Sequence, residues 1–388
     1  MIQRVNLDYA STTPLLPEVK QAMVAVLDEF GNPSSIHRGG QRAKHALEQA
    51  RGQLASLINA KPEEMYFTSC GTESNNWALR GLFAANKRKG HHLIISAIEH
   101  PSVSLVARRL ELEGAKVTIL PVDREGVISP RDLKAALTSD TVLVSIMLAN
   151  GEVGTIEPIK ELAATAHEHG ALFHTDAVAA VGHMAVDVKA LGVDALSLAA
   201  NQFYGPPGAA ALFVREGVRI LPLLEGGGQE VGARSGTEAL PALVGMGAAA
   251  ELAKQQLGQR IERLSRLRDR LRDGLMERIE GLRINGPMDI RRVPHNLHVC
   301  IDGVSSESLV LGLDQAGIAA GLGSACNSKA MRPSHVLKAM GLSDEQAKGA
   351  LVLSVGVPTT DEEIDRALEI IPSVVQRLRH VTALTVRS

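Results

Sequence analysis

Gly71, Thr72 and Glu73 stand where an apolar run, MYFTS (65–69), gives way to a helical pattern, and this position could bind phosphate. The N-terminus of a helix offers free backbone N–H groups and a partial positive charge, and both favour a phosphate. The Thr72 hydroxyl adds one more donor. A threonine that caps the helix without any ligand is the more ordinary use of such a turn, so the motif alone does not establish a phosphate site.

Arg234, Ser235 and Thr237 end a glycine-rich segment, GGGQEVGARSGT (226–237), that could form a second anion site. Successive backbone N–H groups in such a segment can make a concave nest for an anion. A surface turn explains the same composition, and the sequence does not separate the two.

Asp176 and His100 each follow a predicted strand and could contact a planar ligand. Asp176 ends the run FHTD, where a carboxylate can pair with the protonated ring nitrogen of a cofactor. His100 precedes Pro101, and its ring could lie against the same cofactor. Taken singly, neither residue decides the chemistry, and a helix cap is the alternative role of Asp176.

Short apolar runs alternate with amphipathic stretches over the first two-thirds of the chain, and these elements must position the polar residues. The runs that we interpret as buried strands are 65–69, 91–96, 115–121, 141–148, 171–176, 194–199 and 209–214. The alternation predicts an α/β fold with a mostly parallel central sheet and helices on both faces. Ligands of such sheets bind beyond the carboxyl ends of the strands.

Beyond residue 245 the pattern changes to one long helical run that predicts a connection into a second domain. Its apolar residues recur three or four positions apart, at Ile261, Leu264, Leu267, Leu271, Leu275 and Ile279. We expect a large cofactor-type domain over 15–255 and a smaller α+β domain from 256–388. Residues 1–14 join the smaller domain on the strength of the family resemblance given below.

Composition narrows the function classes. The 388 residues carry 41 Lys and Arg against 43 Asp and Glu, and aromatic residues make up only 3%, so nothing indicates nucleic-acid binding. No run of about 18 apolar residues predicts a membrane span, and MIQRVNLDYASTTP does not read as a signal peptide. Three scattered cysteines predict neither a disulfide framework nor a self-contained zinc site, which favours a cytoplasmic protein with reduced thiols.

Ten motifs together resemble the cysteine desulfurase family, a class V aminotransferase-like group of fold-type I pyridoxal-phosphate (PLP) enzymes. In chain order they are LDYASTTP, GNPSSIHRGG, TSCGTESNN, EHPSV, ANGEVGTIEP, FHTDA, FYGPPG, GGGQE, RSGTE and GLGSACNS. The resemblance implies a homodimer in which the Gly71 backbone and Thr72 contact the PLP phosphate and Thr237 reaches in from the partner subunit. It also implies that His100 stacks on the ring, that Asp176 pairs with the ring nitrogen, and that Asn150 lies beside cofactor and substrate.

The same resemblance assigns Cys326, in GSAC, as the cysteine that receives sulfur as a persulfide. The spacing to PSHVLKAMGL resembles the branch whose longer cysteine loop moves between the cofactor and an acceptor protein. A thiolate is the reactive form, and Lys329 could supply the positive charge that favours it. For Cys300, in NLHVC, a core position is the better interpretation, while Cys70 borders the phosphate turn.

Several positions depart from the family pattern, all of them in the chemical half of the site. Gln202 and Asn201 stand where the family has its Schiff-base lysine and the adjacent histidine, and Pro207 replaces the only other nearby candidate. A carboxamide nitrogen cannot form the imine or move protons at neutral pH. By the same resemblance, the glutamine that faces the cofactor and two arginines, one of them the substrate-carboxylate clamp, are replaced by Ala179, Val352 and Val357.

Three functions therefore stay open. The first is a sulfur-transfer or iron–sulfur assembly protein in which Cys326 carries a persulfide or ligates a cluster shared with a scaffold or acceptor protein. PLP is then either absent or held without a covalent bond. The second is an active PLP-dependent desulfurase that releases sulfur from L-cysteine to Cys326. The third is a non-enzymatic regulatory dimer that binds the same partners.

Overall fold

A computed structural model describes residues 4–322 and 333–385. The strands are β1 (Val5–Leu7), β2 (Met65–Thr68), β3 (His92–Ser96), β4 (Lys116–Leu120), β5 (Thr141–Ser145), β6 (Leu172–Asp176), β7 (Ala195–Ala199), β8 (Ala210–Val214), β9 (Leu282–Asn285), β10 (Asn296–Ile301), β11 (Ile318–Ala320) and β12 (Ala350–Ser354). The α-helices are α1 (Pro17–Val24), α2 (Arg38–Leu57), α3 (Gly71–Asn86), α4 (Pro101–Leu112), α5 (Pro130–Ala136), α6 (Ile159–Glu168), α7 (Val188–Leu191), α8 (Leu240–Arg278), α9 (Ser306–Gln315), α10 (His335–Ala339), α11 (Asp344–Ala347) and α12 (Asp361–Thr385).

Seven strands form the central sheet in the order β2-β8-β7-β6-β5-β3-β4. Only β8 runs antiparallel to its neighbours, and every other pair is parallel, so the predicted α/β fold is confirmed. Every residue of β3, β5, β7 and β8 is buried, which explains why these strands read as continuous apolar runs rather than as alternating patterns.

The predicted strand 141–148 ends earlier than expected, because β5 stops at Ser145. Two residues further on, the Met147 N–H donates to the Glu99 carboxylate at 2.8 Å instead of to a neighbouring strand. A buried side chain thus takes the place of a ladder partner on one side of the segment, while on the other side the Leu148 N–H still donates to Asp176 O of β6 at 2.9 Å.

A second hydrophobic core lies under the antiparallel sheet β12-β10-β9 and the parallel pair β1-β11. Helix α8 is 39 residues long. It contributes Leu243 and Met246 to the core that packs against the central sheet, and Leu264, Leu267 and Leu271 to this second core. Because the helix is continuous, the predicted boundary between residues 255 and 256 falls inside it. The assignment of two domains stays a prediction.

The carboxyl ends of β2, β3, β5, β6 and β7 meet at one edge of the central sheet, because these strands all point the same way. Helices α3 and α4 begin at this edge, so their N-termini face the same space. Within the described part of the chain, no helix combines the length and the apolar character that a bilayer crossing demands.

Candidate cofactor-binding site

A cavity of about 460 Å³ opens at this edge of the sheet. Five of the predicted site residues line it, namely Gly71, Thr72, His100, Asn150 and Asp176. They arrive from four different turns of the chain, and the parallel strand order brings them together.

The turn that the sequence predicts to bind phosphate is the first turn of α3, a helix of 16 residues. Cys70 is the N-cap and makes no side-chain capping bond, so Thr72 is not the cap and its exposed side chain lines the cavity. At Gly71 a Cβ atom would lie 2.7 Å from Val178 Cγ2, which explains the glycine. The backbone of this turn thus lies close to the cavity wall, and the N–H groups of the first turn of α3 are available to an anion.

The predicted second anion segment supports this turn through an ion pair. Arg234 donates from Nε and Nη2 to the Glu73 carboxylate at 2.8 and 3.1 Å. Burial raises the pKa of Glu73, but Arg234 and Ser69 outweigh it and bring the pKa below its ordinary value. Thr237 is exposed and does not line this chain's cavity, so its predicted reach into a partner's site stays a prediction.

Asp176 ends β6 and is held by two donors. Asn75 Nδ2 donates to Oδ2 at 2.6 Å, and the Val178 N–H donates to Oδ1 at 2.9 Å. Burial nevertheless raises the pKa of this carboxyl, while Val178, His100 and Asn75 lower it. Asn75 Oδ1 is buried and has no hydrogen-bond partner within residues 4–322 and 333–385, so this corner is polar and incompletely satisfied. A protonated ring nitrogen fits beside such a carboxylate.

His100 and Asn150 line the same cavity in different ways. His100 is the N-cap of α4, and its Nδ1 accepts from the Ser102 N–H at 3.1 Å. The polar atoms of Asn150 are all engaged within the protein, since Nδ2 donates to Ile98 O and Oδ1 accepts from the N–H groups of Glu152 and Val153. Asn150 therefore shapes the turn after β5, and its predicted place beside cofactor and substrate stays a prediction.

Gln202 lines the cavity at the end of the turn that follows β7. Its Nε2 donates to the backbone carbonyls of Ala10 and Ser11, each at 3.2 Å. Its backbone carbonyl accepts from the buried His183 at 2.8 Å, so the turn is anchored on both sides. Asn201 is tied to Thr12 and Thr13 and likewise supplies no amine.

The described wall of the cavity lacks long cationic side chains. None of its described lining residues is Lys or Arg, and Ala179, Ala199 and Val352 provide apolar surface there. Val357 does not line the cavity, and its N–H donates to the Tyr204 hydroxyl at 2.7 Å.

Sequence reasoning missed three carboxyl groups in the wall, Asp8, Glu99 and Glu152. Burial raises the pKa of Glu99 well above its ordinary value and raises that of Glu152 to about 8. Glu99 Oε2 and Glu152 Oε1 are buried without a hydrogen-bond partner in the described ranges. Glu99 and Glu152 stand in the motifs EHPSV and ANGEVGT, so their place beside His100 and Asn150 was the available signal.

The three cysteines fall into different settings. Cys300 is fully buried, which confirms the predicted core position, and burial raises the pKa of its thiol to about 11. Cys70 is exposed and lines the cavity. Cys326 and Lys329 lie outside the described residues, so the persulfide and metal-ligand roles of Cys326 stay predictions.

Comparison with known proteins identifies the family of the chain. The family model described as aminotransferase class-V matches residues 5–367. The chain belongs to this family. Among its relatives, a cysteine desulfurase IscS of Clostridium botulinum (strain Kyoto / Type A2) is 46% identical over 386 residues, covering 99% of this chain and 97% of the relative. A cysteine desulfurase IscS of Methanosarcina thermophila is 47% identical over 382 residues, covering 98% and 94%.

Solved structures similar to this chain agree with its assignment to the class-V family. A NifS-like protein superposes with a TM-score of 0.91 at 35% identity, covering 97% of this chain and all of its own. A structure described as SspA in complex with cysteine has a TM-score of 0.78 at 33% identity, covering 90% and 98%. The predicted cysteine desulfurase resemblance is confirmed. The names of the relatives favour an active desulfurase over the loss of its chemistry.

The residues present fit PLP in part. The first turn of α3 suits the phosphate, and Asp176 with its two donors suits the ring nitrogen. The covalent bond does not fit, because position 202 offers a carboxamide and the described cavity wall holds no lysine.

Proposed function

We propose that this member of the class-V family handles sulfur on Cys326 and binds a vitamin B6 phosphate without a covalent bond to residue 202. The second part rests on the coexistence of two features in one cavity. Asp176 is positioned by Asn75 to accept a hydrogen bond from a ring nitrogen, whereas residue 202 is a carboxamide held by the carbonyls of Ala10 and Ser11. The relatives named cysteine desulfurase support the first part.

Bound PLP supplies an electron sink that stabilises carbanions. The residues of this chain would hold it, with the α3 turn on the phosphate and Asp176 accepting a hydrogen bond from the ring nitrogen. Gln202 cannot donate or remove a proton at neutral pH, because a carboxamide does not titrate there. Burial raises the pKa of both Glu99 and Glu152, which favours the protonated form of these two cavity carboxyls.

An active desulfurase that releases sulfur from L-cysteine to Cys326 is the second candidate. The near-complete coverage of relatives with that name favours it. Against it stands the cavity wall, which has no Lys or Arg among its described residues and therefore no bidentate partner for a substrate carboxylate.

One purification separates the two candidates. Protein purified without oxygen is examined by ultraviolet–visible spectroscopy, PLP, iron and sulfide analysis, and peptide mass mapping after borohydride. We expect no lysine peptide that carries the cofactor mass and no sulfide release from L-cysteine. A cofactor-bearing lysine together with sulfide release would establish the second candidate and overturn the first.

The role of Cys326 is tested by persulfide labelling after exposure of the protein to a sulfur donor such as sulfide with an oxidant. We expect the label on Cys326, its loss in Cys326→Ala, and its retention in Cys300→Ala, where the thiol is buried. Equal labelling of wild type and Cys326→Ala would refute a sulfur-carrying role.

We also propose a homodimer that works with a sulfur-acceptor or scaffold protein. The exposed Thr237, which does not line the cavity of its own chain, is consistent with a partner's site. Sedimentation analysis tests the dimer. Weakened B6-phosphate binding in Thr237→Val, against unchanged binding in the control Thr165→Val, which lies on α6 away from the cavity lining, tests whether Thr237 reaches the partner's site.

A further inference from the structure

Gln202 presents a hydrogen-bond acceptor where an enzyme with covalent PLP presents an amine. Its Nε2 donates to two backbone carbonyls, which only accept, so the orientation of the amide is determined by its partners. The remaining polar atom is Oε1, for which no partner occurs in the described ranges. A ligand that occupies this cavity therefore lies beside a side chain whose remaining polar atom accepts a hydrogen bond and does not donate one.

The acidic groups of the cavity act in the same direction. Four carboxyl groups line it, those of Asp8, Glu99, Glu152 and Asp176, and the described wall includes no Lys or Arg. Asp8 accepts from Ser11 Oγ at 2.8 Å and lies next to Gly321, which bridges to Val352. The Asp8 carboxyl thus lies near Val352, the position at which the resemblance implies an arginine that binds the substrate carboxylate. An anionic substituent is disfavoured there, and an ammonium group is favoured.

We propose that this cavity binds the amine form of the vitamin B6 phosphate, pyridoxamine 5′-phosphate, in preference to the aldehyde form. The inference rests on the proposed retention of the phosphate and ring-nitrogen contacts, which the two forms share. They differ at the exocyclic carbon, where the aldehyde oxygen only accepts and the ammonium group donates three hydrogen bonds. The ligand then brings the amine that the chain lacks.

Three ligands isolate the contribution of this one substituent. Pyridoxamine 5′-phosphate, PLP and 4′-deoxypyridoxine 5′-phosphate have the same ring and phosphate, and the last has a methyl group in place of the amine. Their dissociation constants are measured by calorimetric titration of the full chain after removal of bound small molecules. A hydrogen bond from a charged donor predicts that the amine binds about tenfold more tightly, or better, than the deoxy analogue.

Two variants connect the preference to Gln202. Gln202→Met keeps the length of the side chain but removes the acceptor, so the amine and the deoxy analogue should bind equally. Gln202→Lys supplies an amine from the protein, so PLP should become covalently attached and be retained as a borohydride-stable mass increase. This second variant also reports that the cavity still folds and still holds the ring.

Two outcomes would overturn the inference. Equal or tighter binding of PLP or of the deoxy analogue by the wild type would refute the preference while leaving the cofactor cavity in place. Failure of all three ligands to bind would refute the B6 cavity as well. The persulfide test on Cys326 uses no B6 ligand, so the sulfur-handling part of the proposed function is decided separately.

Discussion

Arg51 and Glu230 form a buried ion pair that fixes the loop before Arg234, and Arg51→Met should strongly destabilise the protein. Arg51 Nη1 and Nη2 donate to the two Glu230 oxygens at 2.7 and 2.8 Å, and the two side chains are only 10% and 2% exposed. Arg51 also donates to Met65 O at 2.9 Å. Glu230 raises the pKa of Arg51 despite its burial.

The magnitude follows from what the substitution leaves behind. Glu230 keeps the Phe67 N–H as a donor at 2.8 Å but loses its only described cationic partner in the interior. Breaking a buried pair from one side costs about 3–5 kcal/mol, because an uncompensated charge remains. Glu230 and Val231 also adopt left-handed backbone conformations, with φ of 48° and 56°, so the loop depends on this contact to hold a strained shape.

Urea unfolding at neutral pH measures the effect, with two matched comparisons. Arg266→Met removes one member of an exposed pair with Asp361 and should cost far less. The double variant Arg51→Met, Glu230→Leu should recover a large part of the loss, because no buried charge is left unpaired. The reasoning is refuted if Arg51→Met costs no more than Arg266→Met, or if the double variant loses the sum of both single changes.

Three further predictions concern the cavity and its supports. Glu152→Gln removes a carboxyl whose pKa is raised by burial from 4.5 to about 8. As the pH rises between these values, Glu152 is ionised in the unfolded wild-type chain but still protonated in the folded one. The free energy of unfolding of wild type should therefore fall relative to that of the variant by about 1.4 kcal/mol per pH unit, and a difference that does not change with pH in urea unfolding would contradict this. Gly71→Ala should weaken calorimetric binding of B6 phosphates through contact with Val178, and adding Val178→Ala should restore it. Tyr204→Phe removes the acceptor of the Val357 N–H and should lower the free energy of unfolding by about 1–2 kcal/mol in urea, whereas an unchanged value would show that water replaces the hydroxyl.

The central sheet could be predicted closely from the sequence because four of its strands, β3, β5, β7 and β8, are buried on both faces. Predicted runs such as 171–176 and 194–199 differ from β6 and β7 by one residue. The exception is 141–148, where the Met147 N–H donates to the Glu99 carboxylate rather than to a neighbouring strand. A long-range side-chain contact of this kind leaves no periodic signal in the sequence.

Residue identity and motif order were sufficient to determine the family and the absence of an amine at position 202. These properties are local, since a carboxamide cannot form an imine in any fold. Only the tertiary structure decided which atom of Gln202 is left for a ligand, because the carbonyls of Ala10 and Ser11 that bind its nitrogen lie nearly 200 positions away in the chain. It also decided that Asp8, Glu99 and Glu152 meet in one cavity, since the parallel strand order brings together turns that are far apart in sequence.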